Sequence, residues 1–312
     1  MTAFAFVFPG QGSQTVGMLD AWGDHPAVRQ TLAQASDALD RDLAHLIHAG
    51  PKEALDLTLH TQPVMLAAGI ACYRAWLAEG GAEPTAVAGH SLGEYSALVA
   101  AGALSLADAL PLVRFRAQAM QQSVPAGAGG MAAILGLDAA TVAAVCAEVS
   151  AQSGEVVEPA NFNDPKQTVI AGSKAGVDLA CVKFTAQGAR RVVLLAVSAP
   201  FHSSMMKPAA EALRERLAGV RLQAPRIPVV NNIDVAVQTE PAALRDALVR
   251  QAFGPVRWVE VMQALRARGL HHIFECGPGK VLAGLARRID VEVVTGAVHD
   301  PASLAAAREI LA

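Results

Sequence analysis

The sequence predicts an α/β protein: a larger unit on a mainly parallel sheet, with a smaller α+β unit inserted into it. Three observations lead there. Short apolar runs ending in Gly, Pro or a small polar residue alternate with longer stretches of helical period. Of the 312 residues, 53% are hydrophobic and 17% charged, enough apolar surface for a large core without metal or disulfide staples. The run PAGAGG at 125–130 is the sharpest break in composition, and the rhythm changes after it.

Within the larger unit, β-prone runs bounded by turn formers predict strands at 3–8, 85–89, 227–232, 271–276 and 291–295. Stretches of helical period between them predict helices at 26–40, 62–77, 92–101, 105–122 and 241–252. After the glycine-rich break the expected order is strand 131–135, helix 139–150, strand 156–161, strand 167–171, helix 174–188 and strand 191–197. That β-α-β-β-α-β order is the ferredoxin-like split pattern. The expected domains are therefore 127–198, small and ferredoxin-like, and a discontinuous large α/β domain at 1–126 and 199–312.

Composition bounds the function classes. Cys72, Cys146, Cys181 and Cys276 are far apart and form no CxxC pair, so neither a zinc site nor a redox pair is expected. They read as reduced thiols of a cytoplasmic protein. The N-terminal MTAFAFVFPGQG lacks a basic leader and reads as a strand rather than an export signal. The longest uncharged stretch, 117–137, holds glutamines, a proline and glycines, so no membrane segment is expected. A net charge of −3 with interspersed signs argues against a nucleic-acid surface. Local basic clusters remain for an acidic partner: Arg190 with Arg191, Arg287 with Arg288, and Arg214, Arg216 and Arg221.

The chemistry centres on Gly89-His90-Ser91-Leu92-Gly93, a GxSxG between a predicted strand and a predicted helix. Small residues flanking the serine allow a tight turn that lifts its hydroxyl to a helix N-terminus, where free N–H groups stabilise an oxyanion. This context gives the larger domain an α/β-hydrolase-like character and favours a nucleophile over a simple helix cap. A serine needs a base. His202 lies in a loop at a strand's C-terminal edge, where open α/β sheets collect their ligand groups. His299 lies where an α/β-hydrolase keeps its histidine, and both stay open with His202 preferred. His271 and His272 read as structural residues of a core strand. Asp108, Asp138, Asp164 and Asp178 read as helix-start or turn residues, so no acid stands out as a third member. Gln11 lies in a Gly-bracketed loop after the first strand, and Gly277 to Lys280 reads as a βα turn with the lysine facing solvent. Arg116 lies near the edge of an apolar helical stripe that includes Met120; in a pocket with Ser91 its fork would suit a carboxylate.

The segments FPGQGSQ at 8–14, TQP at 61–63, GHSLGEYSAL at 89–98, Arg116, PFHS at 200–203 and GPGK at 277–280 together resemble the malonyl-CoA:acyl-carrier-protein transacylases of bacterial fatty-acid synthesis, over essentially the whole chain. The resemblance implies Ser91 as nucleophile and His202 as base, with the main-chain N–H groups of Gln11 and Leu92 as the oxyanion hole. It implies that Arg116 binds the malonyl carboxylate, with Gln62, Met120 and Phe201 also at the substrate, and that the Gln251 carbonyl orients the histidine. It further implies malonyl-CoA as substrate, no metal or other cofactor, and acyl carrier protein as partner; a monomer is the expected state. Phe201 departs from the Ser common in the fatty-acid enzymes and matches the form linked to malonyl choice in polyketide acyltransferase domains. Rival readings are a hydrolase-like thioesterase or esterase using Ser91 and His299, a polyketide-pathway malonyltransferase, and a non-catalytic carrier-binding scaffold.

Overall fold

The computed structural model describes residues 2–312. Along the chain run β1 (Phe4–Phe8), α1 (Pro26–Leu39), α2 (Leu43–Ala49), α3 (Lys52–Leu55), α4 (Thr58–Ala78), β2 (Ala86–Gly89), α5 (Gly93–Ala100) and α6 (Leu106–Gln122). Then come β3 (Gly129–Leu135), α7 (Ala139–Ser153), β4 (Val157–Asp164), β5 (Gln167–Ser173), α8 (Lys174–Ala186) and β6 (Arg191–Leu194). The chain finishes with α9 (Lys207–Ala218), β7 (Val229–Val230), α10 (Pro241–Phe253), α11 (Trp258–Ala267), β8 (His272–Cys276), α12 (Val281–Ile289), β9 (Val294–Val298) and α13 (Pro301–Leu311).

Two sheets result. The first, in order β7-β2-β1-β8-β9, is parallel throughout. Its central strand reads FAFVF and is buried on both faces, as a parallel sheet covered by helices requires. One face packs Phe4, Phe6 and Phe8 edge-on against Trp76 and Tyr73 of α4. The other face sends Ala5 and Val7 into a separate cluster with Trp258, Val261 and Leu265 of α11 and Leu285 of α12. The alternation within one pentapeptide thus serves two cores.

The second sheet, order β4-β5-β3-β6, is antiparallel, and all its strands come from the stretch between α6 and α9. Its period-two pattern is informative. Ala132 and Ile134 of β3 face α7 and α8 in a small core of their own, whereas Met131 and Ala133 face the larger core. One face of this sheet therefore carries helices and the other is free to roof something in the larger unit. No helix among the described residues is long and apolar enough to cross a membrane.

Several element boundaries differ from expectation for local reasons. The last strand lies at Val294–Val298 rather than 291–295: Asp290 to Val293 makes a turn, and Val291 is 89% exposed. The strand expected at 227–232 shrinks to Val229–Val230, because Pro228 has no N–H and the main chain of Asn231 and Asn232 bonds elsewhere. Helix α4 begins at Thr58, one turn ahead of 62, and carries Pro63 inside it. His271, expected in a core strand, is exposed just outside β8 and contacts Arg266.

Candidate active site

The two glycines of the serine motif are demanded by packing. A Cβ at Gly89 would sit 1.9 Å from the Gly93 carbonyl carbon, and one at Gly93 would sit 2.1 Å from the Phe8 oxygen. The strand-to-helix turn can close, and α5 can press onto β1, only without those side chains. Between them Ser91 adopts φ 52°, in the left-handed region that a non-glycine residue occupies at a cost of about 1–3 kcal/mol.

The hydroxyl this turn presents meets an imidazole. Ser91 Oγ lies 2.6 Å from His202 Nε2. His202 also has a positive φ, 62°, in the loop that follows β6. Its other nitrogen, Nδ1, lies 2.9 Å from the Gln251 carbonyl and 3.1 Å from the Gly254 carbonyl. Carbonyl oxygens only accept, so Nδ1 carries the hydrogen and Nε2 presents its lone pair to the serine. The C-terminal end of α10 thus sets the tautomer that a triad carboxylate would set elsewhere. Burial, reinforced by the Arg116 charge, pushes the His202 imidazole down to about 3.

Arg116 reaches the same point from α6. Its Nη1 donates to Gln62 Oε1 at 3.0 Å, and its Nη2 donates to Gln251 Oε1 at 3.1 Å and to Ser91 Oγ at 3.3 Å. The guanidinium lies over the Tyr95 ring at 5.5 Å, is 2% exposed and leaves Nε without a partner. Among the described residues it forms no ion pair. A buried cation satisfied only by neutral groups is costly to keep, and is suited to receive an anion.

These groups open into a cleft of about 600 Å³ between the two sheets. Gln11, Gln62, Ser91, Leu92, Arg116, Phe201 and His202 line it, so most of the expected site residues converge there. The free face of the antiparallel sheet supplies its roof through Met131, Ala133, Asn161, Asn163 and Val169. No protein acceptor takes the main-chain N–H of Gln11 or Leu92 among the described residues. Gln251 stands behind the arginine and histidine, contributing both its carbonyl and its side chain. Met120 is not at the cleft; it is buried in the main core. Nor is His299, which pairs with Asp300 ahead of α13.

Sequence reasoning missed three participants. His90, half-buried and held at 2.8 Å by Asn163, ties the serine turn to the roof sheet. Glu94 and Asn232 are fully buried beneath the serine. A carboxylate inside the apolar run of α5, and paired asparagines ending a strand at the sheet's ligand edge, were the available signals.

A pH expectation follows from the imidazole. The imidazole is neutral above about 3, so kcat/KM is expected to stay level as pH falls through the ordinary histidine value of 6.5. Burial pushes Glu94 up to about 7, so the profile is best taken in Glu94→Gln, which removes that carboxyl. An acid limb centred near 6.5 in that background would refute a desolvated His202.

Comparison with known proteins places this geometry in context. The family model described as Acyl transferase domain matches residues 5–290. The Malonyl CoA-acyl carrier protein transacylase of Escherichia coli (strain K12) is 51% identical over 311 residues, covering 99% of this chain and all of that protein. The crystal structure of an acyl-carrier-protein S-malonyltransferase from Burkholderia pseudomallei 1710b superposes with TM-score 0.97 at 64% identity, covering 98% of this chain and 99% of its own. A malonyl-transacylase in complex with its holo type II PKS acyl-carrier protein superposes with TM-score 0.97 at 47% identity, covering 99% and 100%.

Proposed function

This chain belongs to the acyl transferase domain family, and from that premise we propose that it moves a malonyl group from malonyl-CoA to the phosphopantetheine thiol of an acyl carrier protein through a malonyl ester on Ser91. It is an acyltransferase. The buried Arg116 with no ion pair, within hydrogen-bond reach of the Ser91 hydroxyl, is the observation that carries the choice of acyl group. Its free valence suits the malonyl carboxylate while the thioester carbonyl lies at the serine.

In the first half-reaction Ser91 Oγ attacks the thioester carbon as His202 Nε2 takes its proton. The tetrahedral oxygen is held by the N–H groups of Gln11 and Leu92, the amides left free at the cleft. Collapse expels the CoA sulfur, to which His202 returns the proton. In the second half-reaction the carrier thiol gives its proton to the same nitrogen, its sulfur attacks the ester, and Ser91 leaves reprotonated. One thioester replaces another, so the free-energy change is small and the cycle runs both ways. No step calls for a metal or redox cofactor.

The acceptor serves fatty-acid synthesis, and a polyketide carrier presents the same thiol. The exposed Arg190 and Arg191 at the start of β6, with Arg287 of α12, offer positive charge to an acidic carrier, whereas Arg288 is paired with Asp164 at 2.7 Å. We assign 127–198 as the small domain, inserted in a large domain of 1–126 and 199–312, acting as a cytoplasmic monomer; the four free cysteines accord with a reducing compartment.

Intact-protein mass spectrometry tests the reading. Malonyl-CoA is expected to add one malonyl group to the wild type, and carrier protein to remove it. Ser91→Ala is expected to take up none. An adduct surviving in Ser91→Ala, or none on the wild type, would overturn the serine-ester cycle.

A further inference from the structure

Two residues outside the mechanism above connect its parts. Asn232 follows the short edge strand β7 and is completely buried. Its side-chain amide spans the serine turn: Oδ1 accepts from the Ser91 N–H at 2.7 Å, and Nδ2 donates to the Gly89 carbonyl at 2.8 Å. The last residue of β2 and the nucleophile are thereby held by one planar group. The Asn232 main chain is engaged as well, donating to Glu94 Oε2 at 2.8 Å and accepting from the Arg257 N–H at 3.2 Å. Its neighbour Asn231 differs: Oδ1 accepts from Asp234 N–H within a turn, and Nδ2 has no partner. Turn chemistry accounts for Asn231 and not for Asn232.

Glu94, in the first turn of α5, extends the connection. The same Oε2 accepts from Gln251 Nε2 at 3.1 Å. Gln251 donates from that nitrogen to the Ser91 carbonyl at 3.0 Å, accepts from Arg116 at Oε1, and holds His202 with its own carbonyl. Nucleophile, base and arginine are thus joined through a single run of buried hydrogen bonds, Asn232 to Glu94 to Gln251. Such a run has a clear task here. Ser91 sits at a φ that it would leave if its peptide were free to relax, and relaxation would turn the hydroxyl from Nε2.

We propose that Asn232 is a positioning residue for acyl transfer: its amide locks the Ser91 turn in its strained conformation, and Glu94 anchors that amide and couples it to Gln251. The role rests on the reading of Ser91 as the acyl-accepting nucleophile.

The test uses Asn232→Ala, with active protein counted by titration with an alkyl fluorophosphonate, which reports serine nucleophilicity without any acyl-CoA. The labelling rate constant and kcat are each expected to fall on the order of 10²-fold while labelling still reaches full stoichiometry. KM for malonyl-CoA is expected to stay within about threefold, because Gln62 and Gln251 still hold Arg116. Glu94→Ala is expected to lower kcat and raise KM together, since it frees Gln251; Glu94→Gln, which keeps an acceptor oxygen, is expected to recover most of both. Rates per titrated serine within about twofold of wild type in Asn232→Ala, or a rise in KM in place of the fall in kcat, would overturn the assignment. If Asn232→Ala does not fold, Asn232→Asp keeps the shape and the acceptor but loses the donor to Gly89; about a tenfold fall in labelling rate supports the lock, and an unchanged rate rejects it. A wild type that labels with fluorophosphonate yet takes no malonyl would sink the functional reading alone, leaving Asn232 to be judged on labelling.

Discussion

His202→Ala is expected to lower kcat for malonyl transfer on the order of 10³-fold, with KM for malonyl-CoA little changed. The size follows from the part the imidazole has in the proposed cycle, accepting a proton from each attacking group and returning it to each leaving group. No other partner of the Ser91 hydroxyl can substitute, because Arg116 is the other ionisable group on it and only donates. The KM is expected to hold because the proposed carboxylate contact is to Arg116, whose remaining partners are Gln62 and Gln251. His299→Ala is the matched control. It pairs with Asp300 away from the cleft, and its loss is expected to leave kcat within about twofold. Steady-state transfer assays on the two variants separate the assignments, and an active His202→Ala enzyme would return the hydrolase-like alternative to consideration.

Arg116→Ala is expected to discriminate between acyl groups. Kcat/KM for malonyl should fall roughly 10²- to 10³-fold, the scale of an ion pair lost from a desolvated site, while acetyl transfer changes by less than about tenfold. Acetyl is not wholly indifferent, because the same guanidinium donates to Ser91 Oγ and helps depress the His202 pKa. Arg116→Lys is expected to recover little: a lysine cannot reach Gln62, Gln251 and the substrate with one compact charge. Competition assays with both acyl-CoAs measure the ratio directly, and equal losses would refute the carboxylate role. Hydrolysis of the acyl-serine is also expected to rise, because the arginine fixes the ester against water.

Much of this site is legible in the sequence. GxSxG between a strand and a helix points to Ser91 because only small flanking residues permit the turn, and the distances at Gly89 and Gly93 give that requirement a number. His202 was favoured by its place after a strand, but its tautomer was not legible, since that depends on carbonyls at the far end of α10. For Met120 the two readings diverge: the resemblance implies a place at the substrate, whereas helical period sets it in the apolar stripe of α6, and it packs in the main core as that stripe requires.

What the sequence determined by itself is whatever depends on neighbours in the chain: the two kinds of sheet, the inserted β-α-β-β-α-β order, and the serine turn with its glycines. Boundaries set by long-range hydrogen bonds escaped it, as at β7, where Asn232 leaves the ladder to serve Glu94 and Ser91. The tertiary structure alone decided which polar residues meet beneath Ser91. Glu94 lies 138 residues from Asn232 and 157 from Gln251 along the chain, and only burial makes an unpaired amide or carboxyl costly enough to force them together.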